Sequence, residues 1–369
     1  MKILISGAGF AGLSTAINLS GSGHDITIVE RAPYIRGTGA PLDVRGKAIA
    51  AAEAMGILPA LKASRAGLSE NMTIIDANGN DIAPLPGDEV SDSADDIEIE
   101  RPDLVQIMLK RLDENVDVIY NDSIVMIDDQ GESAGVEFVS GHRESFDLVV
   151  GADGVHSLTR RLVFGPEEQF REFLGMYIAL ARIPSGTVSD RHAKTYSWPG
   201  HMVSMAPYGG HVTAAMYFRQ EWLDYDHHDL NAQKQLALEE LAGHDEWLIP
   251  MVRGAIEADP EFYFDSVNQI DMDTYHRGRV VLVGDAGYCP SPLSGRGLSL
   301  AMLGASHLAQ ALNDYPAELE RALDAYETVQ RPHVVHAQDT AADGGDLLVP
   351  ATQEELDKRN AQLRAAQTA

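Results

Sequence analysis

The chain has a single cysteine, Cys289, so no disulfide can form within it. That usage fits a reducing cytosol and leaves stability to a packed core. No His-containing signature accompanies Cys289, and it reads as a small packing residue rather than a nucleophile. Basic residues are also scarce, with 28 Lys and Arg against 56 Asp and Glu and a formal net charge of −28. No Lys/Arg-rich run offsets that balance, which points away from nucleic acid and anionic lipid as partners. Long apolar runs are missing too. The uncharged stretch Ile3–Gly23 is dense in Gly and Ser, follows only Lys2 and lacks an A-x-A cleavage site. It reads as strand, turn and helix rather than a signal peptide or membrane span. Repeats and low-complexity linkers are absent. What remains is an ordinary globular composition, 44% hydrophobic and 23% charged over 369 residues, enough for two domains.

The start reads KILISGAGFAGLSTAINLSGSGHDITIVER. Ile3–Ile5 is a short apolar run typical of a buried parallel strand, and Leu13, Ala16, Ile17 and Leu19 have helical spacing. A second apolar strand, Ile26–Val29, completes a βαβ unit. Leu42–Leu61 reads as helix. Short strand-like pieces follow from Leu68 to Ile97, with a hairpin over Ile75–Asp81 and an acidic loop over Asp88–Asp96. Arg101–Leu112 resumes helical periodicity with Pro102 in its first turn. Strands are expected at Val116–Tyr120, Ser123–Ile127, Gly135–Val139 and Phe146–Val150. Phe170–Phe218 alternates between Pro-Gly and Gly-Gly turns and predicts an antiparallel sheet. Asn231–Met251 reads as helix, Val280–Val283 as a buried strand, and Ala317–His336 as a long helix. A final helix is expected from Gln353.

Gly7, Gly9 and Gly12 form GxGxxG directly after a strand and at the opening of a helix. Glu30 ends the next strand eighteen positions after Gly12, near the ~20 of dinucleotide sites. The glycines permit a tight turn and close approach to a pyrophosphate, and the helix start supplies free N–H groups. Glu30 is placed to accept from ribose hydroxyls. The device serves NAD and FAD alike, so the fingerprint alone leaves the dinucleotide open.

Three later stretches favour FAD: Arg101 in ERPDL, Asp153 and Gly154 in GADGVHSLTR, and GDAGYCPSPLSGRGLSLAM with Asp285, Pro292, Gly295 and Gly297. With Arg45 in PLDVRG they span residues 3 to about 305. In this combination the sequence resembles the group A FAD-dependent aromatic monooxygenases, the p-hydroxybenzoate hydroxylase-like family. In size it is similar to the small tetracycline-inactivating members. The resemblance implies an α/β fold, with a Rossmann-like FAD-binding domain of GR2 type, an inserted, mainly antiparallel substrate sheet and a long C-terminal helix. It places FAD binding in residues 1–68, 99–169 and 268–316, substrate binding in 69–98 and 170–267, and a helical segment in 317–369.

The resemblance implies roles residue by residue. Gly7, Gly9, Phe10, Ala11 and Gly12 cradle the FAD pyrophosphate, and Glu30 with Arg31 holds the adenosine end. Arg45 and Arg101 contact the pyrophosphate and ribityl region. Asp153 and Gly154 serve FAD and NAD(P)H, and Asp285 holds the ribitol. Gly297 and Leu298 present amides to the flavin's pyrimidine edge, while Pro292 and Gly295 line the face where substrate is hydroxylated. Two positions depart from the common pattern, Gly287-Tyr288 after GDA and Leu298-Ser299 after Gly297. Halogenases share the scaffold, but the three tryptophans, Trp198, Trp222 and Trp247, are far apart and form no halogenase signature.

The implied activity is NAD(P)H-driven hydroxylation of a small aromatic or polycyclic substrate by dioxygen through a flavin C4a-hydroperoxide. No side-chain nucleophile, metal or catalytic acid or base is required. A flavin dehydrogenase or reductase on the same scaffold, or a flavin-binding regulatory protein, is the alternative. The protein is expected to be cytoplasmic, monomeric or homodimeric, with no membrane or nucleic-acid partner. Met176, Tyr196, Met205, Tyr208 and Met216 are candidates to line the substrate cavity, Met205 and Met216 foremost. Packing of the sheet core or its back face is the alternative for each.

Overall fold

The computed structural model describes residues 1–35, 37, 41–66, 72–85, 93–184, 193–208, 211–226 and 229–366. The opening apolar run, Lys2–Ser6, is an inner strand of a six-stranded sheet. Across this sheet the strands run 276–277, 280–282, 148–151, 2–6, 25–30 and 117–120. Its neighbours are parallel except at the 276–277 edge. Leu4 and Ile5 are wholly buried, as befits strands covered on both faces. The helix Phe10–Ser20 packs against the helix Gly297–Asp314, so the two glycine-rich turns lie side by side.

A seven-stranded sheet forms the second layer, ordered 263–270, 171–184, 211–219, 201–208, 194–198, 73–75 and 81–84. All its pairings are antiparallel except 194–198 with 73–75. Side chains alternate across this sheet, as period-two geometry requires. The back face carries Tyr177, Val203, Met205, Met216 and Phe218 into a core shared with Leu248, Ile249 and Val252. The front face carries Met176, Ile178, Leu180, Met202 and Val267 toward Leu293 and Ala341.

The hairpin at Asp76–Asn80 and the inner strands form as expected. Elsewhere the structure differs from the sequence reading. Leu42–Val44 is a strand paired with Ile97–Ile99, and helix begins only at Ala48. The single helix expected over Asn231–Met251 is two, Leu230–Glu240 and Ile249–Ala258. The long helix runs Leu319–Leu348, past His336 and through Pro332. Of the expected acidic loop, residues 88–92 lie outside the described residues. The final helix, Gln353–Ala366, is tied down by the buried Arg359, which donates to Ser197 Oγ at 3.1 Å and Leu347 O at 2.9 Å. Among the described residues, no helix is long and apolar enough to cross a membrane, and no group of three His, Cys, Asp or Glu is arranged to hold a metal.

Candidate functional site

The first turn is built by close contacts that only glycine allows. Gly7 has φ +101°, and a Cβ there would lie 2.6 Å from Ala152 O. A Cβ at Gly12 would lie 1.9 Å from Gly7 O, whereas one at Gly9 meets nothing within 4 Å. Gly7 and Gly12 therefore serve the fold, while Gly9 faces open space. The helix that follows has no side-chain cap and no acid in its first turn, leaving its N–H groups and positive potential available. Glu30 closes the turn, accepting from Ala8 N at 2.9 Å and Ala32 N at 2.8 Å. Arg31 is exposed beside it.

The second turn docks directly on the first. A Cβ at Gly284 would sit 2.7 Å from Ala11 Cβ. Asp285 follows, and a Cβ at Gly297 would lie 3.8 Å from its Oδ1. Burial raises the Asp285 carboxyl above the usual carboxylate range, with Arg101 opposing the shift. Burial likewise lowers the Arg101 guanidinium, opposed by Tyr263 and Asp285. Arg101 also lies over the Phe10 ring at 5.6 Å. Tyr263, which sequence reading missed, exposes 45% of its surface although burial pushes its hydroxyl well up.

Arg45 joins this group from below. A Cβ at Gly295 would lie 3.0 Å from an Arg45 terminal nitrogen. Arg45 pairs with Asp43 at 2.8 Å, and its backbone N donates to Ser299 Oγ at 2.9 Å. Ser299 in turn donates to Asp43 O at 3.1 Å. The departure at Ser299 thus has a local purpose: it pins the Arg45 strand to the start of the Gly297–Asp314 helix. Arg45 Nε is buried and has no partner among the described residues, a group waiting for an acceptor.

Tyr288, the other departure, donates to Tyr326 at 2.9 Å, and Tyr326 donates to Leu282 O at 2.9 Å. Tyr326→Phe leaves the Tyr288 hydroxyl buried without its acceptor. We expect a loss of about 1–2 kcal/mol in urea unfolding; an unchanged midpoint would remove the pair from the stability account. Cys289 is buried, and burial pushes its thiol well up, consistent with packing rather than nucleophilic chemistry.

Asp43 has a pKa raised to about 6 by burial, with Arg45 opposing and Glu98 and Asp96 adding to the rise. A folded pKa above the unfolded 3.8 means the folded state binds more protons between those values. Stability from this group is therefore lost as pH rises from about 4 to about 6. Asp43→Asn removes that slope, so its stability relative to the parent should climb by up to roughly 1.4 kcal/mol per pH unit across the window. Urea unfolding of the FAD-free proteins at several pH values checks this; parallel stability curves would contradict it.

At the DG motif the Asp153 carboxylate is occupied within the protein. It accepts from Thr159 N and Oγ1, both at 2.9 Å, from Ser157 Oγ, and from Ser6 Oγ at 3.4 Å. Its side chain holds the turn, while Gly154 presents open backbone. His156, unremarked in the sequence, bridges Glu167 at 3.1 Å and Asp265 at 3.2 Å. Hydrogen bonds to Asp265 and Glu167 raise its pKa to about 9. It ties the six-stranded layer to the substrate-side sheet.

Pro292 opens a short 3-10 turn, Pro292–Ser294, which lies against the long helix: a Cβ at Gly344 would meet Leu293 O at 2.5 Å. Ser291, just before it, has φ +83°, a conformation glycine favours. The placement of Met205 and Met216 differs from the expectation that they line a cavity. Both belong to the back-face core, as does Tyr196. Strand parity decides this, because their neighbours Met202, Ala215 and Tyr217 take the front face. Met176 is the expected methionine that does lie in front. The Tyr208 side chain is outside the described residues.

Open backbone at Gly9, two helix starts without side-chain caps and the orphan Nε of Arg45 fit an extended anionic cofactor that spans both turns. Comparison with known proteins identifies the family. The FAD binding domain family model matches residues 1–341. A flavin-dependent monooxygenase of Legionella longbeachae serogroup 1 (strain NSW150) is 34% identical, over 90% of this chain and 86% of the relative. The crystal structure of tetracycline destructase Tet(51) has a TM-score of 0.86 at 30% identity, covering 99% of this chain and 96% of that one. Klebsiella pneumoniae HpxO complexed with FAD and uric acid gives 0.75 at 24% identity, over 99% of this chain and 93% of that one, a likeness of fold.

Proposed function

We propose that this chain, a member of the FAD binding domain family and similar to flavin-dependent monooxygenases, uses NAD(P)H and dioxygen to hydroxylate a small aromatic or polycyclic substrate. The observation that carries this reading is the contact between the two glycine turns, with Gly284 against Ala11 and Gly9 open beside them. One extended cofactor can then serve both. Gly7, Gly9, Phe10, Ala11 and Gly12 would hold the pyrophosphate, and Glu30 and Arg31 the adenosine end. Arg45, Arg101 and Asp285 would hold the pyrophosphate and ribityl region. Gly154 would offer backbone beside it, with Asp153 fixing the turn. Gly295, Gly297 and Leu298 would meet the flavin ring, and Pro292 the substrate.

FAD, when bound, accepts electrons from NAD(P)H and carries the dioxygen chemistry, while the protein supplies position and field. The uncapped N–H groups opening the Gly297–Asp314 helix would stabilise negative charge on a bound flavin. The front-face side chains that pack with Leu293 would present an apolar, water-poor surface to a bound substrate. Two similar structures support a ring-bearing substrate: one is a tetracycline destructase, and one is complexed with FAD and uric acid. The single cysteine suits a cytoplasmic setting.

The test is a screen of the yellow holoenzyme with NADH and NADPH against aromatic compounds, tetracycline and urate among them. At least one compound should accelerate NAD(P)H oxidation about tenfold or more. A slow rate that no compound changes would count against a hydroxylase.

A further inference from the structure

Histidines in this acidic chain mostly sit against carboxylates. His142 pairs with Glu144, His156 with Glu167 and Asp265, His201 with Glu240, His244 with Glu246, and His276 with Asp324. Three others break the pattern. His307, His333 and His336 make no ion pair among the described residues, and neither does Lys47. Yet acids outnumber bases 56 to 28.

These four residues converge from three elements. The His307 ring, on the Gly297–Asp314 helix, stacks on the His333 ring of the Leu319–Leu348 helix, with centroids 5.6 Å apart and planes 26° apart. His336 follows His333 by one helical turn. Lys47 precedes the helix that starts at Ala48, which packs on the Gly297–Asp314 helix. Burial lowers the His307 imidazole, with Gln330 opposing and Lys47 adding to the shift. Burial lowers His333 as well, with Lys47, His307 and His336 all adding. Every charged group acting on the two rings is thus cationic or becomes so on protonation, and no carboxylate compensates.

Gln330 also settles where a proton goes. Its Nε2 donates to Leu300 O at 3.3 Å, so its Oε1 accepts from His307 Nδ1 at 2.9 Å. An added proton therefore goes on His307 Nε2 and makes it a second donor. His307 lies ten positions beyond Gly297, about 15 Å along the helix, so the cluster is separate from the flavin turn. His307 and His333 are half-buried, whereas Lys47 and His336 are exposed, leaving the cluster open to solvent.

We infer that Lys47, His307, His333 and His336 form a second anion site, which takes a dianionic phosphate group and gains protons as it fills. Such a group supplies both the missing negative charge and several strong acceptors. It comes either as free phosphate or as a monoester such as the 2′-phosphate that NADP+ has and NAD+ lacks; only the second source draws on the NAD(P)H reading.

The test is histidine side-chain NMR on the oxidised holoenzyme, titrated from pH 5 to 8 at constant ionic strength in chloride, then with inorganic phosphate, NADP+ or NAD+. Phosphate or NADP+ should raise the midpoints of His307 and His333 by about half a unit or more. His142, exposed beside Glu144, should not move. Lys47→Gln should raise both midpoints in chloride, by removing a like charge, and should at least halve the response to phosphate. A response to NADP+ but not NAD+ assigns the site to a monoester, and a response to inorganic phosphate alone assigns it to the free ion; either upholds it. The inference is overturned if neither probe moves His307 and His333, if His142 moves equally, if Lys47→Gln keeps the full response, or if NAD+ acts as strongly as NADP+. No turnover enters this readout, so failure of the hydroxylase reading is scored separately, by the fate of dioxygen.

Discussion

Gly9→Val should purify colourless, with FAD affinity reduced about 100-fold or more, while the FAD-free protein stays within about 1 kcal/mol of the parent in urea. The reason is the asymmetry among the three fingerprint glycines. At Gly9 an added Cβ meets no protein atom within 4 Å, and the residue is already in an extended conformation at φ −71° and ψ −175°. Nothing in the fold resists a side chain there, so any damage falls on what occupies the open space. Gly12→Ala provides the contrast. Its Cβ would lie 1.9 Å from the carbonyl oxygen of Gly7, and backbone must move to admit it. That variant should lose both FAD and about 2 kcal/mol or more of stability. FAD titration followed by flavin fluorescence, alongside urea unfolding of the apoproteins, separates the two cases. A Gly9→Val protein that retains tight FAD binding would remove the first turn from the cofactor site.

Arg45→Met should carry the second largest cost, in two currencies that a double variant separates. Its terminal nitrogen pairs with Asp43 at 2.8 Å, and both groups are largely shielded from water. Removing the arginine leaves the Asp43 charge buried and unpaired, which costs about 3–5 kcal/mol. The same change removes the free Nε, and FAD affinity should fall about tenfold or more. Adding Asp43→Asn should restore much of the stability, because no buried charge then remains. FAD affinity should stay low. Recovery of both together would mean that Arg45 acts on the cofactor only through the fold.

The order of elements was legible where local pattern and burial agree. Strands such as Ile3–Ile5 and Val280–Leu282 are apolar because both faces are covered, and a glycine turn announces the helix after each. Leu42–Val44 was not legible as a strand. Its partner, Ile97–Ile99, is remote in sequence, and the alanine-rich stretch after it carries a stronger helical signal. Sheet parity was the other failure. Met205 and Met216 have the chemistry of a pocket lining, yet a single step in register sends them to the back face. No residue-type preference marks which face a methionine takes. Tyr263 and His156 carry no motif. His156 draws its role from a pair of carboxylates that only the folded chain brings together. Conversely, the contacts of Ser299 and Tyr288 account for the two places where the sequence leaves its family's pattern.

The central claim is that this flavoprotein inserts oxygen into an aromatic substrate. Its most direct test is turnover of the holoenzyme with NAD(P)H and whichever aromatic compound most accelerates its oxidation, under isotopically labelled dioxygen, with the product analysed by mass spectrometry. The account predicts a hydroxylated product carrying one labelled oxygen atom. NAD(P)H oxidation that leaves the compound unlabelled, with all the label in hydrogen peroxide or water, would contradict it.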